Sequence, residues 1–195
     1  MSNLQCAALS VAVLLIACEV RAQDVTQVDQ SKTTYGEKNS SAPKELDVFS
    51  FLIGKWQGTG KARLPDGTVA QFGVSWIGRY ILDGTAIADE GHAAYPDGRP
   101  GLGVTFRQYD VARKTWIVEF LNVSESFLRK QVNGQSGSVE VDGRDVRVVT
   151  DGPTRSREHY HVVDQDNWIY RMDLSTDGGR SWNEGLVEMT FRRSE

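Results

Sequence analysis

Nothing after Cys18 is a cysteine, and the one other cysteine is Cys6. That excludes an internal disulfide, a thiolate metal site and a cysteine nucleophile from the body of the chain. Histidine is also scarce, with His92, His159 and His161 the full set. A basic excess is missing: 22 Lys and Arg stand against 26 Asp and Glu, a formal net charge of -4. The charges are spread along the chain, with no footprint for nucleic acid and no polybasic stripe for a membrane surface. Catalytic signatures are lacking as well. There is no Gly-x-Ser-x-Gly elbow and no His-Glu-x-x-His pair. The one glycine-rich run, Gly98 to Gly103 (GRPGLG), sits between extended segments rather than before a helix.

What is present begins with an apolar run, Cys6 to Cys18 (CAALSVAVLLIAC), too short to span a bilayer as a helix. It suits the core of an export signal over residues 1–22. Cleavage after Val20-Arg21-Ala22 would release the chain at Gln23. Alternatively, Leu15-Ile16-Ala17-Cys18 matches a bacterial lipobox, with Cys18 acylated and retained as a membrane anchor. The protein is therefore expected in the periplasm or outside the cell, with no transmembrane span after processing. Residues 23–43 are polar and read as a flexible linker, because they bury too little apolar surface to offset ordering entropy.

The folded domain is expected over 44–195. Pro43-Lys44-Glu45-Leu46 opens a short helix, with Leu46, Phe49, Phe51 and Leu52 on its apolar face. From Gly54 onward the pattern has period two. Strands are expected at about 54–63, 68–77, 80–89, 102–110, 116–120, 126–132, 138–150 (with Gly143 as a hairpin turn or a bulge), 156–163, 167–174 and 185–193. Turns fall at Pro65-Asp66-Gly67, Tyr95-Pro96-Asp97-Gly98 and Asp177-Gly178-Gly179. Connections are too short for helical crossovers, so the chain is all-β: a single antiparallel up-and-down barrel of about ten strands behind a short N-terminal helix. Alternation points Trp56, Phe72, Trp76, Phe106, Trp116, Phe120 and Trp168 inward, as the lining of a cavity for a small apolar or amphipathic ligand. Arg107, Glu119, Arg129, Arg157 and Arg171 fall on the opposite parity and read as outward, solubilising charges; in a wide barrel some would instead line a wet lumen and bind an anionic headgroup.

The run Phe51-Leu52-Ile53-Gly54-Lys55-Trp56-Gln57-Gly58 resembles the opening of lipocalin-like (calycin) barrels. The resemblance implies that Gly54 turns the chain into the barrel floor, that Trp56 plugs it, and that Arg193 (Arg192 as alternative) stacks across Trp56 from the last strand. The order of motifs over residues 45–194 is similar to a bacterial family of secreted lipocalin-like barrels of unknown function. More distantly it resembles the nitrobindins, ten-stranded barrels that hold haem through a late histidine; that likeness would make His159 or His161 the axial ligand. His159 and His161, at i and i+2 on one strand face, are also candidates to bind one metal ion together; no other feature calls for a cofactor or a metal. Ser175 to Trp182 (STDGGRSW) resembles the Asp-box of sialidases, a folded hairpin device in which Asp177 caps the turn and Gly179 supplies its backbone geometry. An isomerase- or cyclase-like enzyme on the same scaffold would show a buried cluster of polar groups at the barrel mouth.

Overall fold

In a computed structural model, the described residues are 33–64, 66–96, 98, 100–122, 133–150 and 152–195. The expected signal, residues 23–32 of the linker, the strand expected at 126–132 and Arg129 lie outside them. A 3-10 helix over Lys44–Leu52 precedes ten strands. These are β1 (Gly54–Arg63), β2 (Val69–Ile81), β3 (Ala86–Ala94), β4 (Pro100–Asp110), β5 (Thr115–Asn122), β6 (Asn133–Asp142), β7 (Asp145–Thr150), β8 (Arg155–Asp164), β9 (Asn167–Ser175) and β10 (Asn183–Ser194). Each strand pairs antiparallel with the next, and β10 returns to β1, which closes the barrel and leaves no free edge.

The strand count agrees with the sequence, but two boundaries do not. The stretch 138–150 is two strands, and of the two readings for Gly143 the hairpin holds: at φ +61 it makes a two-residue turn with Arg144 between Asp142 and Asp145. The strand expected at 80–89 is interrupted by a turn at Leu82-Asp83-Gly84, where all three residues take positive φ. Leu82 is a costly residue for that conformation, which hid the Asp-Gly turn signal.

The helix closes one end of the barrel. Leu46, Phe49 and Leu52 are fully buried, each contributing on the order of 1.5–3 kcal/mol by removal from water. Ile53 turns extended and stops the helix. Gly54 follows at φ +119, and a Cβ there would lie 2.5 Å from Arg193 Nη1. Trp56 donates its ring N–H to the Leu52 carbonyl at 3.0 Å, locking helix to strand. Arg193 lies 4.0 Å over the Trp56 ring and donates to the Ile53 and Gln165 carbonyls. Of the expected linker, residues 33–43 dock on this same end. Gly36 bridges Tyr80, the Asn39 amide donates to the Gly84 carbonyl, and Ala42 packs against the core. Ordered structure therefore begins before residue 44.

The hairpin after β9 folds as the Asp-box likeness implied. The Asp177 carboxylate accepts from the Ser181 amide and hydroxyl and from the Ser175 hydroxyl. The Trp182 ring N–H donates to the Gly179 carbonyl.

Candidate functional site

Helix and barrel divide the interior in two. The closed half is solid: Phe49 meets Trp116 edge-on at 5.0 Å, and Trp168 stacks on Phe191 at 4.0 Å. The other half keeps a cavity of about 220 Å³. Its walls are mostly aromatic and apolar, with Phe72, Trp76, Tyr95, Phe120, Tyr170 and Met189 prominent. Glycines on β3 and β4 line it as well. Gly91, Gly101 and Gly103 all face inward, and a Cβ on Gly103 would sit 2.5 Å from the Phe120 ring. A larger recess of about 590 Å³ lies outside the barrel, among outward-facing residues such as Lys61, Gln71 and Glu188.

A polar network lies beneath this cavity. Asp89 and Arg107 are each 1% exposed and form an ion pair. Arg107 also donates to the Tyr160 hydroxyl at 2.9 Å, with its guanidinium 5.1 Å from the centre of the Phe49 ring. Tyr160 passes the chain on, donating to Glu158 Oε2 at 2.5 Å. Burial, reinforced by the Glu158 charge, pushes the Tyr160 phenol well above its ordinary pKa. Tyr170 is raised in the same way, by burial first and then by Glu158 and Tyr160. Both phenols are therefore neutral at physiological pH. Glu158 lines the cavity as an acceptor whose one hydrogen-bond partner among the described residues is Tyr160. Six buried side-chain polar atoms find no hydrogen-bond partner among the described residues, and three of them belong here: Trp76 Nε1, on a residue of the cavity wall, Asp89 Oδ1 and Arg107 Nε.

The residues expected to line a cavity divide three ways. Phe72, Trp76 and Phe120 line it, Phe120 at the rim and 47% exposed. Trp56, Trp116 and Trp168 point inward but belong to the filled half, where they pack against the helix and one another. Phe106 is a correction. On β4 the inward residues are Thr105 and Arg107, so Phe106 faces out, opposite Glu119. Arg107 is the matching correction: it is a buried interior cation, not a solubilising charge. Glu119, Arg157 and Arg171 stay on the outer side. Asp89, Glu158, Tyr160 and Tyr170 were not among the expected site residues. The small-residue stripe Gly101, Gly103, Thr105 marks the true inward parity of β4 and could have placed Arg107 inside.

His159 and His161 also face outward, because Glu158 and Tyr160 between and beside them face in. His159 Nε2 lies 3.4 Å from Asp173, and His161 Nδ1 lies 2.8 Å from Asp145. Burial works against ionisation of Asp173, but the Gly185 amide, Arg171, Arg157 and His159 outweigh it and hold its pKa below the ordinary value. Arg157 stacks on Trp182 at 4.0 Å above this cluster. Neither histidine can reach the cavity, and the side chain of His92 is half exposed at its edge. The residues present do not fit an interior haem. Among the described residues no group of three or more His, Cys, Asp or Glu is arranged to hold a metal ion.

The family of proteins of unknown function termed DUF1579 matches residues 42–193. The chain belongs to that family. The match spans the helix and all ten strands of the DUF1579 domain. Among the solved structures similar to this chain, two share its barrel fold. Rv2717c from M. tuberculosis is 14% identical with a TM-score of 0.58, over 79% of this chain and 99% of that one. The S-type phycobiliprotein lyase CPES from Guillardia theta is 11% identical with a TM-score of 0.50, over 76% of this chain and 92% of that one. At such identities the likeness is one of fold. No curated protein matches the chain. No helix among the described residues is long and apolar enough to cross a membrane.

Proposed function

We propose that this DUF1579 protein is an exported binding protein that holds one small, largely apolar molecule in the open half of its barrel. The observation that carries the reading is the unequal filling of the interior. The helix packs one half solid, while a cavity of about 220 Å³ lies among aromatic rings and inward glycines of β3 and β4 in the other. That volume is below the roughly 300–1,000 Å³ typical of ligand pockets. The reading therefore favours a small molecule, or the end of a longer one. Export rests on the apolar run from Cys6 to Cys18, and membrane anchoring on acylation of Cys18.

Native mass spectrometry of the protein purified from its own cells tests the binding reading, beside a Gly91→Leu variant. A Cβ at Gly91 would lie 3.6 Å from Trp76, an ordinary contact, so the leucine extends into the cavity without forcing the backbone. The expected result is an added small-molecule mass on the wild type that the variant lacks. Bare polypeptide for both, with no retention of added apolar compounds, would overturn the proposal. The same spectrum reads the N-terminus: a start at Gln23, or a diacyl mass on Cys18, distinguishes the two processing routes.

A further inference from the structure

We infer that the ligand carries a positively charged nitrogen, held between the Glu158 carboxylate and the surrounding aromatic rings. This rests on the cavity being a binding site.

The argument starts from the charges that face the interior. Asp89 and Arg107 neutralise one another below the cavity. Among the described residues lining the cavity there is no Lys, no Arg and no Asp; Glu158 is the one carboxylate among them, and His92 lies at the edge. Arg107 does not reach Glu158 directly, because Tyr160 stands between them, accepting from one and donating to the other. That donation engages Glu158 Oε2 and leaves Oε1 with no hydrogen bond among the described residues. Among the described residues the cavity thus presents one anionic acceptor with capacity to spare and no Lys or Arg to answer it.

The rest of the wall has the complementary property. Phe72, Trp76, Tyr95, Phe120, Tyr160 and Tyr170 all border the cavity, and the faces of aromatic rings attract cations through their quadrupole. A carboxylate or sulfate in the same place would meet Glu158 as a like charge in a poorly solvated site. A wholly apolar occupant would leave the half-used carboxylate cut off from water. A protonated amine with a short apolar body satisfies both features, donating to Oε1 while its methylenes lie on the rings.

The experiment compares three probes of one chain length, hexylammonium, hexanol and hexanoate, at pH 7. Each displaces the neutral fluorophore 1-aminonaphthalene from wild type, Glu158→Gln and Phe120→Leu. In wild type, hexylammonium is expected to bind about ten-fold tighter than hexanoate, with hexanol between. Glu158→Gln keeps an acceptor for Tyr160 and is expected to erase that preference while hexanol binding stays. Phe120→Leu alters an exposed rim residue, so it should fold normally; it should weaken hexylammonium several-fold more than hexanol. Hexanoate binding as well as hexylammonium, or a preference that survives Glu158→Gln, would overturn the inference and leave the cavity reading standing. Failure of hexanol and the fluorophore to bind wild type would overturn both.

Discussion

Replacing Arg107 by methionine is expected to be among the most damaging single changes in the barrel. Methionine matches much of the side chain's apolar length, so the effect isolates the charge. Asp89 is 1% exposed and its other oxygen, Oδ1, has no partner among the described residues, so its compensation rests on Arg107. Removing one member of a buried pair typically costs about 3–5 kcal/mol, because the remaining charge is stranded. Tyr160 also loses a donor, worth about 1 kcal/mol. Against a total stability of about 5–15 kcal/mol the variant should still fold. With a urea slope of about 2 kcal/mol/M, a loss of about 4 kcal/mol moves the midpoint down by about 2 M. Tryptophan fluorescence should report it well, since Trp116 packs on Phe49, the ring nearest the guanidinium. The second arm is Asp89→Asn with Arg107→Met. With no charge left behind, the double variant should recover at least about 2 kcal/mol relative to Arg107→Met alone. A cost below about 1 kcal/mol for the single variant, or a double variant that merely adds the two single losses, would refute the reasoning.

Other perturbations have defined outcomes. Gly54→Ala places a Cβ against Arg193 Nη1 at a φ of +119 and should cost roughly 1–3 kcal/mol, read as a lower thermal midpoint. Gly73→Ala is its control on the neighbouring strand, with nothing within 4 Å of the added Cβ, and should change the midpoint little. Asp177 is held down to about 2 by the Ser181 amide and hydroxyl and by Ser175. Its contribution is therefore complete above the ordinary aspartate pKa and is lost as pH falls through about 2. Asp177→Asn should lose stability at neutral pH and show a shallower decline between pH 4 and pH 2 in acid-unfolding curves.

Most of the scaffold was readable because a half-buried strand repeats every two residues. The helix opening at Pro43, the Gly54 and Trp56 pair and the Ser175 to Trp182 hairpin each carry local chemistry that needs no tertiary context. The interior of β4 was misread for the opposite reason. Val104 and Phe106 look like the buried set, yet Gly103, Thr105 and Arg107 face inward. Gly103 is there to receive the Phe120 ring from β5, and Arg107 is tolerated there only because Asp89 arrives from β3. Both partners come from other strands, so neither could be seen from the alternation of one. The same is true of Glu158. An acid between Arg157 and His159 reads as one more polar residue until Tyr160 and the cavity are placed beside it. The histidines mislead in reverse: rarity drew attention to His159 and His161, but strand parity sends both to the outer face.

The most direct test of the binding cavity is a fluorescence titration with 1-aminonaphthalene, neutral at pH 7, on wild type and Gly91→Leu. The expected result is saturable enhancement with a stoichiometry of one in wild type. In the leucine variant the signal should fall at least ten-fold while the thermal midpoint stays close to wild type. Equal binding by both proteins would place the probe elsewhere on the surface and contradict the assignment of the open half of the barrel as the site.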